Sequence, residues 1–156
     1  MNNIPILERR RIEAMILAHV FAVITERSGK KEAETVIGET CSRSAIEQGK
    51  SFAEDLGRTP DLTDFAEILP NWTREDALEI EPLVTSDEKM DFNVTRCRYA
   101  EMYGEMGLGE IGHLLSCNRD GDFCTGYNPD IELTRTQTIM KGASHCDFRF
   151  RLKGKE

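Results

Sequence analysis

The chain has 156 residues, 39% of them hydrophobic and 31% charged, with a formal net charge of −8; this is the make-up of an ordinary soluble globular protein near the commonest domain size, read as one domain over 1–156. The acidic balance argues against non-specific nucleic-acid binding, which relies on clustered Lys and Arg to displace counterions. No apolar run approaches the roughly 20 residues that span a bilayer, and Met1 to Arg11 lacks the apolar core and cleavage site of a signal peptide, so the cytoplasm is the expected location.

In chain order, Glu8 to Arg27 reads as a helix, with Ile12, Met15, Ile16, Val20, Val23 and Ile24 at helical spacing and Ser28-Gly29 as the stop. That stripe serves equally as a core face or as an interface between copies of the chain. Lys30 to Gln48 is a second helix, with Ala33, Val36, Ile37, Cys41 and Ala45 on one side; a continuation carries Phe52 and Leu56 to Gly57. Asp61 to Leu69 is a short helix with Leu62, Phe65 and Ile68 inward, closed by Pro70. Residues 1–70 are therefore helical.

The character changes from Ala77 onward. Ala77 to Val84 and Met90 to Thr95 alternate as strands of a hairpin, joined by the polar stretch Thr85 to Lys89. Arg96 to Met106 reads as a helix with Tyr99, Ala100, Tyr103 and Met106 on one face, and Gly109 to Ser116 as a second helical segment. Asn118 to Asp122 is turn-forming. Asp130 to Met140 and Cys146 to Leu152 make a second pair of strands. The expected fold is α+β: N-terminal helices packed on an antiparallel sheet of about four strands, made from two hairpins flanking a helical pair. Residues 77–152 form the α+β part, and any chemistry belongs there.

Five cysteines, an odd number, and no C-x-x-C pair argue for reduced thiols rather than a disulfide framework or zinc ribbon. Cys97 falls where a strand hands over to a helix, with Arg96 beside it. A helix N-terminus and a cation both favour thiolate, although a free Cys is also a common small core residue. Cys117 has His113 four residues before it and Asp120 three after. That set offers a nucleophile, base and orienter, or with His113 a pair of metal ligands; Asp120 also fits plain turn chemistry. In His145-Cys146-Asp147, strand alternation sends Cys146 to one face and its two neighbours to the other. Arg135 and Gln137 interrupt an apolar strand face, and a half-buried Arg needs an anionic partner. Cys124, Cys41 and His19 read as structural.

The segments Phe92-Asn93-Val94-Thr95-Arg96-Cys97, Tyr99-Ala100-Glu101, Gly107-Leu108-Gly109-Glu110-Ile111-Gly112, Cys117-x-x-Asp120 and Gly142-Ala143-Ser144-His145-Cys146-Asp147-Phe148-Arg149 together resemble the L-2-amino-thiazoline-4-carboxylic acid hydrolase family, over about Met90 to Leu152. The ending also has a fold-level likeness to vinyl-4-reductase-type ligand-binding domains. The first resemblance implies a hydrolase that opens a small cyclic isothiourea or amidine, breaking the ring C–S bond to leave an N-carbamoyl amino acid. It implies Cys97, Cys117, Asp120, His145 and Cys146 as catalytic positions.

Two mechanisms fit. In the first, a thiolate (Cys97, or Cys117 as second choice) attacks the amidine carbon, and water activated by His145 or Asp120 releases the intermediate. In the second, two or three of Cys97, Cys117, Cys146 and His145 hold zinc. The irregular ligand spacing favours the first, with no metal or other cofactor. In either, Arg96, Arg135 or Arg149 holds a substrate carboxylate. The competing class is a non-enzymatic ligand- or metal-binding sensor; the partner in each case is a small molecule, with neither nucleic acid nor membrane.

Overall fold

The computed structural model describes residues 4–154; residues 1–3, where the reading of the N-terminus begins, and 155–156, at the end of the 1–156 span, lie outside the described residues. Helix α1 (Ile6–Ser28) turns at Gly29, whose φ of 93° suits only glycine, into the long α2 (Lys30–Leu56). The stretch Lys30 to Gln48 and its continuation to Gly57 form one unbroken helix, capped at Gly57. Asp61 caps α3 (Leu62–Ile68): its side chain accepts from the Asp64 N–H at 3.0 Å, and Asp64 answers by accepting from the Asp61 N–H at 2.8 Å. Pro70 does not close the helical region; it starts the next turn, α4 (Pro70–Thr73), because a proline at a first helical position has no N–H to leave unsatisfied.

The expected hairpin follows as β1 (Leu78–Thr85) and β2 (Lys89–Cys97), then α5 (Arg98–Glu105). His113–Cys117 forms a π-helical turn, and α6 (Arg119–Tyr127) comes next. The Asn118–Asp122 stretch expected as a turn is mostly the start of α6. The strand expected over Asp130 to Met140 is much shorter: β3 (Ile131–Thr134) ends before Arg135, and an irregular loop leads to a 3₁₀ turn at Ile139–Lys141. Asp147 holds that loop, accepting from the Thr136 and Gln137 N–H groups at 2.9 and 3.0 Å. These side-chain bonds take the place of a strand partner. The last strand, β4 (Cys146–Leu152), has the expected bounds.

The fold is α+β, with one antiparallel sheet in the order β1-β2-β4-β3 and the N-terminal helices packed against it. In the central pair, Met90, Phe92 and Val94 stand opposite Phe150, Phe148 and Cys146. All six are buried on the helix side, and Phe92 and Phe148 stack at 4.8 Å. The other face carries Asp91–Arg151 and Arg149–Asn93 pairs. One buried cluster joins the sheet to α3 and α6, and a second joins α1, α2 and α5.

Two features of the helices go beyond the sequence reading. On α1 the stripe Ile12, Met15, Ile16, Val20 and Val23 is exposed, and the face turned inward carries Ile6, Arg10 and Ala14. The small Ala14 lets α1 lie close to its neighbours, while the larger residues are left facing out. On α2 and α6, Gly49 and Gly126 lie against the facing backbone. A Cβ on Gly126 would run into the Ile46 carbonyl, and one on Gly49 into that of Phe123.

Because neither backbone can yield without moving a helix, Gly126→Ala is expected to destabilise the protein by about 3 kcal/mol. The urea unfolding midpoint measures this, and a near-neutral change would mean that the two helices separate freely.

Candidate functional site

A cavity of about 90 Å³ lies where the two clusters meet. Its apolar wall is mainly aromatic, with Phe65, Trp72, Phe92, Phe123, Phe148 and Phe150. Into it open three thiols, Cys97, Cys117 and Cys146, together with Asp120 and the arginines Arg10, Arg119 and Arg135. The volume excludes a polymer and is smaller than the engineered cavity of about 150 Å³ that accepts benzene, so a ring enters only with some movement of the lining side chains.

Each polar group reaches the cavity by a local cause. Cys97 is the N-cap of α5, its sulfur accepting from the Ala100 N–H at 3.4 Å. Cys117 closes the π-turn, in which the Asn118 N–H reaches back five residues to the His113 carbonyl at 2.9 Å. Asp120 stands in the first turn of α6. Cys146 opens β4 and accepts from the Ile139 N–H at 3.2 Å. Arg135, just past β3, donates to Asp120 Oδ2 at 2.6 Å and to the Cys117 carbonyl at 3.0 Å, and its guanidinium lies 5.0 Å from the centre of the Phe148 ring.

Of the residues singled out from sequence, Cys97, Cys117, Asp120, Cys146 and Arg135 meet at this cavity. His145, Arg96 and Arg149 do not line it. Strand alternation puts His145 on the side of β4 away from Cys146, where it meets Gln137 and Ser144. Arg149, on the same outer face, donates to the Phe92 carbonyl and Asn93. Arg96 is exposed and pairs with Glu101 and Glu79. His113 stays outside the cavity lining, and Cys124 is core. Among the described residues, no group of three or more His, Cys, Asp or Glu is disposed to hold a metal ion.

Sequence reasoning missed Arg10, Arg119 and Trp72 and, although it turned Phe65 inward, did not bring the phenylalanines of α3, α6 and the sheet into one wall. Read as a helix rather than a turn, Arg119, Phe123 and Tyr127 share a face at i, i+4 and i+8, which is the signal that was available. Arg10 shares its face with Ile6 and Ala14 in the same way.

The electrostatics reverse one expectation. Burial raises the Cys97 thiol to about 11, overriding the α5 N–H groups, and it raises Cys117 to about 12. Arg96, which was to help Cys97 ionise, is turned towards carboxylates instead. Cys146 is raised too, by burial first, against the Ile139 N–H. Burial also raises the Asp120 carboxyl, with Arg135 opposing the rise. The resting thiols are thus protonated, and the Asp120 charge is felt at all three.

A largely aromatic cavity with a few convergent polar groups on an α+β scaffold is the arrangement of a small-molecule site. The family model for L-2-amino-thiazoline-4-carboxylic acid hydrolase matches residues 9–150, and the chain belongs to that family. The match extends well beyond the stretch from Met90 to Leu152 whose motifs carry the resemblance. No curated protein matches the chain. Among solved structures, the phenol-responsive sensory domain of the transcription activator PoxR, with phenol, is similar at a TM-score of 0.54 and 12% identity, over 89% of this chain and 76% of that one. A trafficking protein particle complex subunit 3 from Naegleria fowleri, covalently bound to palmitic acid, is similar at 0.54 and 11%, over 94% and 96%. At these identities the likeness is one of fold. Among the described residues, no helix is long and apolar enough to cross a membrane.

With the thiols this high, alkylation of Cys97 and Cys117 by iodoacetamide should stay slow from about pH 7 to about 9 and climb towards about 11, whereas the unfolded chain follows ordinary thiols near about 8.5. By the same sign, folded stability is full below about 8.5 and falls as pH rises towards about 11. Labelling followed by mass spectrometry checks this; a Cys97 inflection below about 8 would show that the helix terminus outweighs burial.

Proposed function

We propose that the protein hydrolyses a small cyclic isothiourea or amidine of the 2-amino-thiazoline-4-carboxylate type, with Cys97 as nucleophile and Asp120 as its proton acceptor. The observation that carries this reading is the convergence of three thiols and the Asp120–Arg135 pair on one small cavity, in a chain of this hydrolase family.

The chemistry balances with these groups alone. The Cys97 thiol passes its proton to Asp120 as the sulfur adds to the ring carbon between nitrogen and sulfur. The ring C–S bond then breaks, and the departing sulfur takes the proton from Asp120. Water adds to the resulting S-linked isothiourea, again with Asp120 taking the proton, and the Cys97 sulfur leaves as thiol. The product is an N-carbamoyl amino acid with a free thiol. Cys97 is preferred to Cys117 because it has a backbone N–H aimed at its sulfur, where developing negative charge is stabilised. His145, outside the cavity, takes no part in this scheme. Keeping the resting thiol protonated guards it against oxidation until a substrate and a base face it.

The aromatic wall favours a second reading, a sensor that binds a small aromatic molecule without turnover, in keeping with the phenol-responsive PoxR domain. Asp120 and Arg135 weigh towards chemistry, since neither is needed to hold an apolar ring.

Incubation with L-2-amino-thiazoline-4-carboxylate should release one free thiol per turnover. Cys97→Ser is expected to lose activity to background with an unchanged unfolding midpoint, and Asp120→Asn to lose about 10²–10⁴-fold with a lowered midpoint, because Arg135 loses its counter-ion. A fully active Cys97→Ser protein would transfer the attack to water. Phenol binding with no ring opening would favour the sensor.

A further inference from the structure

Arg119 is 7% exposed, yet no described carboxylate pairs with it. Its Nη atoms donate to neutral oxygens at long range: the Cys41 carbonyl at 3.3 Å, Ser44 Oγ at 3.3 Å and Gln48 Oε1 at 3.4 Å. Its Nε is buried with no partner. Arg10, 4% exposed, also faces the cavity, and its carboxylate partner among the described residues is Glu13, at 2.9 Å. Two buried guanidiniums thus share one carboxylate. Burial and the Arg10 charge both lower the Arg119 pKa, as they do where a cation lacks its counter-ion. Arg10, Gln48 and Arg119 also line a groove on their other side, bounded by Arg9, Glu47 and Arg74, so they form the wall between groove and cavity. Arg135 is spent on Asp120 and the Cys117 carbonyl, and Arg96 and Arg149 lie elsewhere.

We propose that Arg119, backed by Arg10, anchors the carboxylate of a small ring acid whose ring lies among the aromatic side chains. The assignment rests on the cavity being the ligand site and deepens that reading. A carboxylate supplies the charge that the two arginines lack and an acceptor for the orphaned Nε. It also orients the ring, with its acid end at the wall and its reacting carbon towards the thiols.

Trp72 is the sole tryptophan and lines the cavity, so its fluorescence reports occupancy. Wild type is titrated with 2-amino-thiazoline-4-carboxylate against 2-amino-thiazoline, and with benzoate against benzyl alcohol. The acid of at least one pair should bind about tenfold or more tighter than its neutral partner. Arg119→Gln should erase that preference by weakening the acid alone, and Arg119→Lys should keep part of it. The Arg119→Gln melting temperature should equal or exceed wild type, because a buried charge without a counter-ion is removed; a purely structural arginine would lower it. Equal binding of acid and neutral partner, a preference that survives Arg119→Gln, or no binding of either acid overturns the anchor. Acids that bind through Arg119 while no ring is opened would remove the hydrolase reading and leave the anchor. Ring opening with the same KM for the acid and the decarboxylated ring would do the reverse.

A separate observation concerns the outer face of α1. Ile12, Met15, Ile16, Val20 and Val23 form an exposed stripe, with Ile16 65% exposed. The stripe is palindromic about the midpoint between Leu17 and Ala18: Ile12 mirrors Val23, Met15 mirrors Val20 and Ile16 mirrors His19. The charges continue the pattern with opposite signs, Glu8 mirroring Arg27 and Arg9 mirroring Glu26. We infer that α1 packs antiparallel against α1 of a second copy, burying this stripe across a two-fold axis. Sedimentation should give a dimer, Ile16→Glu a monomer with unchanged fold, and Glu8→Arg a weakened dimer that added Arg27→Glu restores. A monomeric wild type, or no rescue by the paired reversal, overturns this.

Discussion

Two glycines set how closely α6 can lie on α2, and the cavity depends on that distance. Gly49 and Gly126 bring backbone against backbone where any side chain would force the helices apart. A glycine inside a helix costs about 1 kcal/mol of intrinsic stability, so contact made through two of them has to return more in packing. The close approach brings the first turn of α6, with Arg119 and Asp120, between α2 and the sheet. There Asp120 meets Arg135 at 2.6 Å, and Arg119 is left facing neutral oxygens of α2.

The sheet supplies the opposite wall. Its central strands place phenylalanines in register, so that aromatic rings form a continuous surface on the helix side. Arg10 enters from within α1, and Arg119 and Asp120 from the first turn of α6. The other polar groups enter at the rim, from the N-cap of α5, the π-turn, the loop after β3 and the start of β4, none of them the middle of a regular element. Each has a backbone or side chain freed from a helical or strand ladder, and that freedom is what lets a thiol or a guanidinium point inward. Asp147 illustrates the point from outside the cavity: by accepting N–H groups of Thr136 and Gln137, it holds the loop that follows Arg135.

Burial governs the chemistry. The same apolar wall that lines the cavity withholds water from the thiols and holds them protonated. On the proposed reading, the thiol there is activated by a neighbouring carboxylate and by the substrate itself rather than by a standing charge. In the proposed reaction, the backbone N–H at the α5 N-terminus is the group that faces negative charge developing on Cys97, where preorganised dipoles are most effective.

Much was legible in the residues themselves. The α+β class, a hairpin expected over Ala77–Thr95 and found over Leu78–Cys97, the bounds of β4 and the facing of Cys146 away from His145 all follow from period and turn chemistry, which are local. The motif around Cys97, Cys117 and Asp120 pointed to the family. What local pattern does not encode is which partner an amphipathic face meets. On α1 the pattern left the larger apolar residues equally suited to the core or to an outer interface, and packing turned the face with Ala14 and Arg10 inward. Arg119 lay hidden in what read as a turn, since its helix is held by tertiary contact with Gly49 rather than by propensity. The ionisation of Cys97 shows the same division: sequence placed it at a helix terminus that favours thiolate, and only the surrounding aromatic side chains decided that burial prevails.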